Sequence, residues 1–340
     1  METMKHALAA LVALTACTTD DLVEDTETAA RRADPGDPTC PTWGCGANSA
    51  TVGDGLIFDE LDSSGNTPNR GGLTIVGAKL VDGRAVSIHV YRHWLYAVDS
   101  AGWSYWDSSL VGTIIQLKHP VKGRYEVQVA QYHPQAVSFW TSDKEPVPAY
   151  EFRTRRLGET KFLEYACRSA LTTDPDWTGP VHDAIVFQGD RYDPTYKTVT
   201  ETSPSDPWFN LACAATAPAK MHLTRHTRAG STTASGAVAY PTSVAQRQAM
   251  LKMFTADYCG TGHTFTVDGT PLSYTDRNHW LQLYSSTPQE SVWTEYGAVC
   301  LDNPRYIDVQ TIQDKCGWVP PPCGDVRGWE SWGYVFSALR

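Results

Sequence analysis

Two histidine pairs stand four positions apart, a spacing that on one helical face can hold a metal ion. His222 and His226 have Leu223 where a zinc hydrolase helix of the His-Glu-x-x-His type carries its glutamate, so we expect ordinary surface histidines. His89 and His93 lie in a segment with a strand pattern, in which this spacing separates them by about 13 Å. Neither pair predicts a metal site.

Cys259 lies close in sequence to Asp257 and His263, a set that could supply a thiol nucleophile and its base. The alternative is a structural disulfide, which an oxidising compartment favours. Asp257 and Asp268 are better suited to turn and cap hydrogen bonds than to acid–base chemistry. The sequence has no nucleophile-elbow, phosphate-loop or dinucleotide motif, and we predict no cofactor.

An aromatic cluster comprises Trp94, Tyr96, Trp103, Tyr105 and Trp106. In strands, alternate residues share a face, which pairs Trp94 with Tyr96 and Trp103 with Tyr105. Such aromatic residues usually pack in a hydrophobic core. The alternative is an exposed face on which Trp94, Trp103 and Trp106 stack against the rings of a glycan or of peptidoglycan.

The N-terminus has the pattern of a secretory signal. Lys5 precedes an apolar run over residues 7–16, which is too short to span a bilayer. The residues before Cys17 resemble a bacterial lipobox, so we predict a signal peptide over 1–16 and a lipid on Cys17. The chain would then be exported and lipid-anchored in the cell envelope, with the outer membrane as the expected site. The alternative is a plain signal peptide with an incidental cysteine.

Residues 17–39 combine the lipidated cysteine with an acidic stretch that lacks large apolar side chains, which predicts a disordered tether. The whole chain has a formal net charge of −10 and no long cluster of Lys and Arg. Because phosphate binding needs a concentrated basic face, we exclude nucleic acid as a partner. The expected partners are the membrane, through the lipid, and a cell-wall or surface glycan or protein.

Nine cysteines are present, and lipidation of Cys17 would leave eight for disulfides. They are Cys40, Cys45, Cys167, Cys213, Cys259, Cys300, Cys316 and Cys323. Cys40 with Cys45 and Cys316 with Cys323 are close neighbours in loop-like sequence, so local bridges are the simplest expectation. No Cys-x-x-Cys pair supports zinc.

The coarse pattern predicts a β-rich region over 40–204 and a region with helices and a hairpin over 205–340. Asp82-Gly83 is a hairpin turn signal. Residues 208–221 are expected to be helical, with Pro218 kinking or ending the helix. Residues 243–258 form the clearest helix, with Ser243 as N-cap and Gly260 just past its end. Residues 264–274 suggest a hairpin. The predicted fold class is α+β, mainly antiparallel β with a small disulfide-linked helical pair in the C-terminal half.

The tetrapeptide Ala256-Asp-Tyr-Cys259, followed by Gly260 and by residues 263–270, resembles the signature of the ADYC domain family. These are exported, mostly myxobacterial proteins named for that tetrapeptide. The resemblance is strongest over 205–302 and weaker back to Leu73. The family has no established activity, so the resemblance bears on fold and location rather than on chemistry.

The resemblance also implies a disulfide arrangement. The family usually has cysteines at the positions of Met221 and Met250, and their joint absence suggests a bridge between these positions in relatives. Two antiparallel helices would then place Cys213 beside Cys259, with the two methionines packed in place of the other bridge. That pairing leaves Cys167 for Cys300.

Together these features favour a structural or ligand-binding envelope lipoprotein, with no enzymatic activity indicated. An extracytoplasmic hydrolase or a glycan-binding protein stays open as the alternative. A cleft with a perturbed carboxylate or histidine would favour the enzyme.

Overall fold

The computed structural model describes residues 50–53, 55–136, 147–167, 183–203, 205–213, 216–231, 241–266, 272–278, 288–305 and 307–339. The predicted signal peptide, Cys17, the tether, Cys40, Cys45 and Asp268 lie outside these residues. Within them, no helix has the length and apolar character needed to cross a membrane.

The described residues form nineteen strands and three α-helices. The strands are β1 (Thr51–Val52), β2 (Leu56–Ile57), β3 (Glu60–Asp62), β4 (Thr74–Lys79), β5 (Ala85–Tyr91), β6 (Trp94–Asp99), β7 (Ser104–Trp106), β8 (Ile114–His119), β9 (Gly123–Ala136), β10 (Val147–Arg156), β11 (Glu164–Tyr165), β12 (Asp183–Gln188), β13 (Arg191–Asp193), β14 (Thr198–Thr200), β15 (Trp208–Cys213), β16 (Leu272–Asp276), β17 (Gln289–Thr294), β18 (Gly297–Leu301) and β19 (Val335–Leu339). The helices are α1 (Ala217–Leu223), α2 (Val244–Thr255) and α3 (Val309–Cys316).

One large sheet dominates the described residues. Its strands run in the order β3-β15-β12-β10-β9-β8-β4-β5-β6-β7, with β11 beside β10. Every strand pair in the described residues is antiparallel, which confirms the predicted mainly antiparallel α+β class. Strand β15 follows residue 204, where we predicted a regional boundary, yet it belongs to this sheet.

The large sheet curls around a hydrophobic core. Strand β5 alternates between exposed and buried side chains, with Ile88 and Val90 inside, as the period of two requires. The Leu95 N–H on β6 donates to the Tyr150 hydroxyl on β10 at 3.0 Å, so strands at distant places in the sheet order meet across the interior. Gly83, at the predicted hairpin turn between β4 and β5, has φ +88°, which a glycine adopts without strain.

A second core lies between the helices and a smaller sheet of order β16-β19-β17-β18. Met221 on α1 and Met250 on α2 are both fully buried in it. The predicted helix over 208–221 is wrong in its first half, because 208–213 form β15 and Pro218 lies in the first turn of α1. Burial of nearly every residue of β15 explains the difference, since tertiary packing overrides the weak helix preference of its alanine.

Helix α2 begins as predicted and ends earlier. The Gln246 N–H donates to Ser243 Oγ at 3.1 Å, which is the expected N-cap. Ala256 adopts the left-handed conformation with φ +50° and its N–H closes the last turn, so Gly260 is not the capping glycine. The predicted hairpin over 264–274 is also wrong, because β16 pairs with β19 instead.

Three disulfides join described residues: Cys167–Cys213, Cys259–Cys316 and Cys300–Cys323. The pairing implied by the resemblance, Cys213–Cys259 with Cys167–Cys300, is therefore wrong, as is the local bridge Cys316–Cys323. Cys213 ends a strand of the large sheet rather than lying on a helix, so the helical register does not apply to it. The bridge that does link two helical segments joins Cys259, after α2, to Cys316 at the end of α3.

Candidate functional site

Strands β5, β6 and β7 end the large sheet and present an aromatic face to solvent. Tyr91 pairs with Trp94, and Tyr96 pairs with both His89 and Trp106. These five residues lie on one face because strand side chains alternate, and Ile88, Val90 and Leu95 fill the opposite, buried face. We call His89, Tyr91, Trp94, Tyr96 and Trp106 the aromatic face.

Three rings of the aromatic face stack across the strands. The His89 and Tyr96 centroids are 5.2 Å apart with planes at 29°, and the Tyr96 and Trp106 centroids are 4.3 Å apart at 10°. Trp106 is 37% exposed on a strand that no other strand flanks on its far side in the described sheet. One side of its indole is therefore covered by Tyr96, and the other faces away from the sheet.

Polar groups lie on both faces of these strands. The Ser87 hydroxyl lies 2.8 Å from His89 Nε2. The Tyr105 hydroxyl donates to Asp99 Oδ2 at 2.8 Å, and this hydrogen bond is the main reason that the Asp99 pKa is lowered. The Arg84 guanidinium lies over the Tyr105 ring at 5.0 Å. The Ser87 hydroxyl and the His89 imidazole thus lie on the aromatic face, whereas Asp99 and Tyr105, with Arg84 beside them, lie on the opposite face of these strands.

The sequence predicted only some of the residues that share this face. Trp94 and Trp106 do share a face, with Tyr96 on the same face. Trp103 lies in the turn before β7, 71% exposed, with its N–H bonded to Asp99 Oδ1, so it is not on a strand with Tyr105. Tyr105 pairs with Ala97 and packs on the core. The alternation of β5 would have added His89 and Tyr91.

The signature tetrapeptide is a buried loop, not a cleft. Asp257 is fully buried and accepts from Lys252 Nζ at 2.6 Å and from the Gly262 N–H at 2.8 Å, the turn bond that its residue type predicts. The Tyr258 hydroxyl donates to Glu290 Oε1 at 2.7 Å and accepts the Arg305 N–H at 2.8 Å. These bonds tie the loop to β17 and to the segment before α3.

Cys259 completes the tetrapeptide and forms the bridge to Cys316. Its thiol is therefore not available as a nucleophile for His263, and the disulfide interpretation of Cys259 is the one that the structure supports. Each of the four signature residues is buried and has a structural contact: Ala256 ends a helix, and Asp257, Tyr258 and Cys259 join it to other elements.

The expectation that His222 and His226 are surface residues is wrong. Both side chains are fully buried, because α1 packs into the second core. His226 Nδ1 lies 2.7 Å from the Thr224 carbonyl oxygen, and its Nε2 lies 3.5 Å from Asp276 Oδ2. Nothing in the local sequence separated these buried histidines from solvent-exposed ones.

The structure also joins two histidines that the sequence kept apart. His93, in the turn between β5 and β6, lies with Nδ1 3.2 Å from Nε2 of His222 on α1. Burial is the main cause that lowers both pKa values, that of His93 to about 3 and that of His222 well below its usual range. Both rings are fully buried, so these perturbed groups lie in packed interior rather than in a cleft.

Metal binding finds no support in the described part of the chain. It contains no group of three or more His, Cys, Asp or Glu side chains placed to hold an ion. The His93–His222 contact supplies two imidazoles only, and Arg92 and Arg225 add positive charge that disfavours a cation there.

Comparison with known proteins gives a family but no activity. The model of the ADYC domain matches residues 107–307, more than half of the chain, and these include the signature loop. No curated protein and no solved structure matches the chain. The sequence signature and the family match therefore agree, and the chain belongs to the ADYC domain family.

Proposed function

We propose that this protein is a non-enzymatic, saccharide-binding lipoprotein of the cell envelope. The observation that carries the proposal is the stack of His89, Tyr96 and Trp106 on an exposed sheet face. In this proposal the lipid on Cys17 and the acidic tether hold the domain near the membrane, and the aromatic face binds a cell-wall or surface glycan.

A saccharide matches this face in two respects. Sugar rings present flat patches of C–H groups, which pack on aromatic planes, and hydroxyl groups at their edges, which need hydrogen-bond partners. The indole of Trp106 supplies a plane, and Ser87 and His89 supply polar groups on the same face. The net charge of −10 disfavours strongly anionic polymers as ligands.

Tryptophan fluorescence titrated at pH 7.5 with soluble peptidoglycan fragments and N-acetylglucosamine oligomers tests binding directly. We expect saturable binding by the wild-type protein and a Kd about 5–30-fold weaker for Trp106→Ala, the cost of removing an interfacial indole. Trp318→Ala is the matched control, because Trp318 is 43% exposed and lies far along the chain, after α3. It should bind like the wild type.

Two outcomes would contradict the proposal. Absence of a fluorescence change at millimolar concentrations of every probe would remove the binding role, and equal weakening by both variants would remove the role of the aromatic face. Release of smaller sugars from a probe would favour the hydrolase alternative.

The anchoring part of the proposal is tested separately in a bacterial host. Wild-type protein should incorporate radiolabelled palmitate and sediment with membranes, and Cys17→Ser should do neither while keeping the same folded domain. An unlabelled wild-type chain with its N-terminus intact would refute both export and the lipid.

A further inference from the structure

The turn between β5 and β6 contacts β12 of the large sheet and helix α1. The Arg92 N–H donates to Gln188 Oε1 at 2.9 Å, and the Gln188 N–H donates to the Arg92 carbonyl at 2.8 Å. Next to them, His93 meets His222. Arg92 has φ +55°, so the turn is a tight one. Tyr91 and Trp94 of the aromatic face flank this turn.

Hydrogen bonds define how the two imidazoles share protons. His222 Nδ1 lies 2.8 Å from Thr227 Oγ1, and Thr227 Oγ1 also accepts the Gly230 N–H. If His222 Nδ1 donates to Thr227, its Nε2 accepts from His93 Nδ1–H. His93 Nε2 is then left as a bare lone pair, and it has no hydrogen-bond partner among the described residues. The neutral pair therefore keeps both of these hydrogen bonds and leaves only one uncharged acceptor, His93 Nε2, without a partner among the described residues.

The protonated pair cannot be accommodated in the same way. A proton on His93 Nε2 would be a buried donor without an acceptor in the described structure, on a ring that has become a cation. The charges that act on both imidazoles are those of Arg92, from the same turn, and Arg225, from the segment after α1, and both oppose a further positive charge. From β12, the uncharged ring of Phe187 stacks on His222 at 4.5 Å.

The other titratable groups near this contact are already engaged. His226 faces Asp276, and Asp190 is bound to Arg247. At low pH, the imidazoles of His93 and His222 can therefore become protonated only if they leave the protein interior.

We propose that the His93–His222 contact is an acid-sensitive latch, which holds the β5–β6 turn at neutral pH and releases it when the histidines are protonated. The part of the proposal that concerns ligand rests on the proposed function: release of the turn would displace Tyr91 and Trp94 and weaken saccharide binding.

The sign and size follow from linkage. The closed state keeps the histidines neutral, and an opened turn returns them to a pKa near 6.5. The stabilisation is therefore complete above about pH 6.5 and is lost progressively as the pH falls toward 3. Between pH 7.5 and 4.5 we expect the opening constant of the turn to rise about 100-fold from His93 alone.

Native-state hydrogen exchange without any ligand tests the latch. The reporters are the Leu95 amide, bonded to the Tyr150 hydroxyl, and the Gln188 amide, bonded to the Arg92 carbonyl. After correction for the intrinsic pH dependence of exchange, both should open at least about 100-fold more often at pH 4.5 than at pH 7.5. The Val127 amide, in the middle of the large sheet, should not change.

The His93→Gln variant should lose the contribution of His93 to this pH dependence, about 100-fold, because glutamine can bond His222 without titrating. His263→Gln, on a partly exposed histidine, is the control and should keep it. Should a variant fail to fold, the imidazole carbon shifts of His93 and His222 in wild-type protein report their titration directly. Simultaneous opening of all three amides, unchanged protection, or an ordinary titration of both histidines near pH 6.5 would overturn the latch.

Saccharide titration at pH 7.5 and 5.0 tests the coupling. Weaker binding at pH 5.0 in wild type, but not in His93→Gln, supports it, and equal binding at the two pH values refutes it. Absence of binding at pH 7.5 refutes the proposed function instead. The latch is then tested by hydrogen exchange alone.

Discussion

The Lys252 ammonium nitrogen lies 2.6 Å from Oδ2 of Asp257, and both side chains are buried. Lys252 Nζ also donates to the carbonyls of Tyr196 and Gly260, each at 3.0 Å, so all of its protons are used. This ion pair joins the last turn of α2 to the signature loop and to the turn before β14. It is the central contact of the tetrapeptide.

Removing the charge of Asp257 should therefore be costly. Asp257→Asn keeps the shape but leaves the Lys252 charge buried without its counterion, which costs about 3–5 kcal/mol. Asp325→Asn, in the exposed pair with Arg327, should leave the free energy of unfolding almost unchanged. Urea denaturation of both variants measures the difference. Similar small losses would mean that the buried pair contributes nothing special.

Gly260 and Gly317 share φ +74° but not their surroundings. A Cβ at Gly260 would come 1.7 Å from the Tyr296 carbonyl oxygen, whereas one at Gly317 would meet nothing within 4 Å. Gly317→Ala should cost only the backbone term of about 1–2 kcal/mol. Gly260→Ala should cost at least about 2 kcal/mol more, because the β17–β18 turn must move. Equal melting temperatures of the two variants would contradict this.

Because Lys197 is buried, we expect the free energy of unfolding to change with pH in the alkaline range. Burial lowers its pKa from 10.5 to about 8, so the unfolded chain binds more protons between these values and stability rises with pH through this window. At pH 7, Lys197→Met removes the cost of burying the charge and should raise the free energy of unfolding by about 1–3 kcal/mol. At pH 11 the gain should vanish.

The exposed Lys122→Met is the control for this prediction and should show no gain at either pH. Denaturation curves at pH 7 and 11 decide the matter. A gain for Lys197→Met that persists at pH 11 would trace to packing rather than to charge.

The disulfide pairs predict a definite peptide map. Non-reducing digestion should yield Cys167 with Cys213, Cys259 with Cys316, and Cys300 with Cys323. Cys259→Ser with Cys316→Ser should cost about 2–5 kcal/mol, as loss of a native bridge does. Recovery of a Cys316–Cys323 peptide as the main product would contradict the fold of the C-terminal region.

Local patterns predicted the parts of this fold that depend on neighbouring residues. The Asp82-Gly83 turn and the Ser243 cap are set by residues within three positions of each other, and both are present as expected. Strand alternation likewise predicted that Trp94 and Tyr96 share one face, and they do so on β6. The mainly antiparallel class follows from many such short signals.

Contacts between distant residues were not predictable in this way. His93 and His222 are 129 positions apart, and only the curl of the sheet brings them together. The pairing of Cys213 depended on whether its segment was helix or strand, and the alanines of that segment suggested a helix. Its burial in the large sheet, which decides for a strand, is a tertiary property that no local pattern contains.

The C-terminal bridges interlock along the chain. Cys300 lies inside the interval closed by Cys259–Cys316, and its partner Cys323 lies outside it. A single backbone cut anywhere between Cys259 and Cys323 therefore leaves both pieces covalently joined. A molecule nicked there by an environmental protease would shed nothing, and only a reducing agent would reveal the damage as separate fragments.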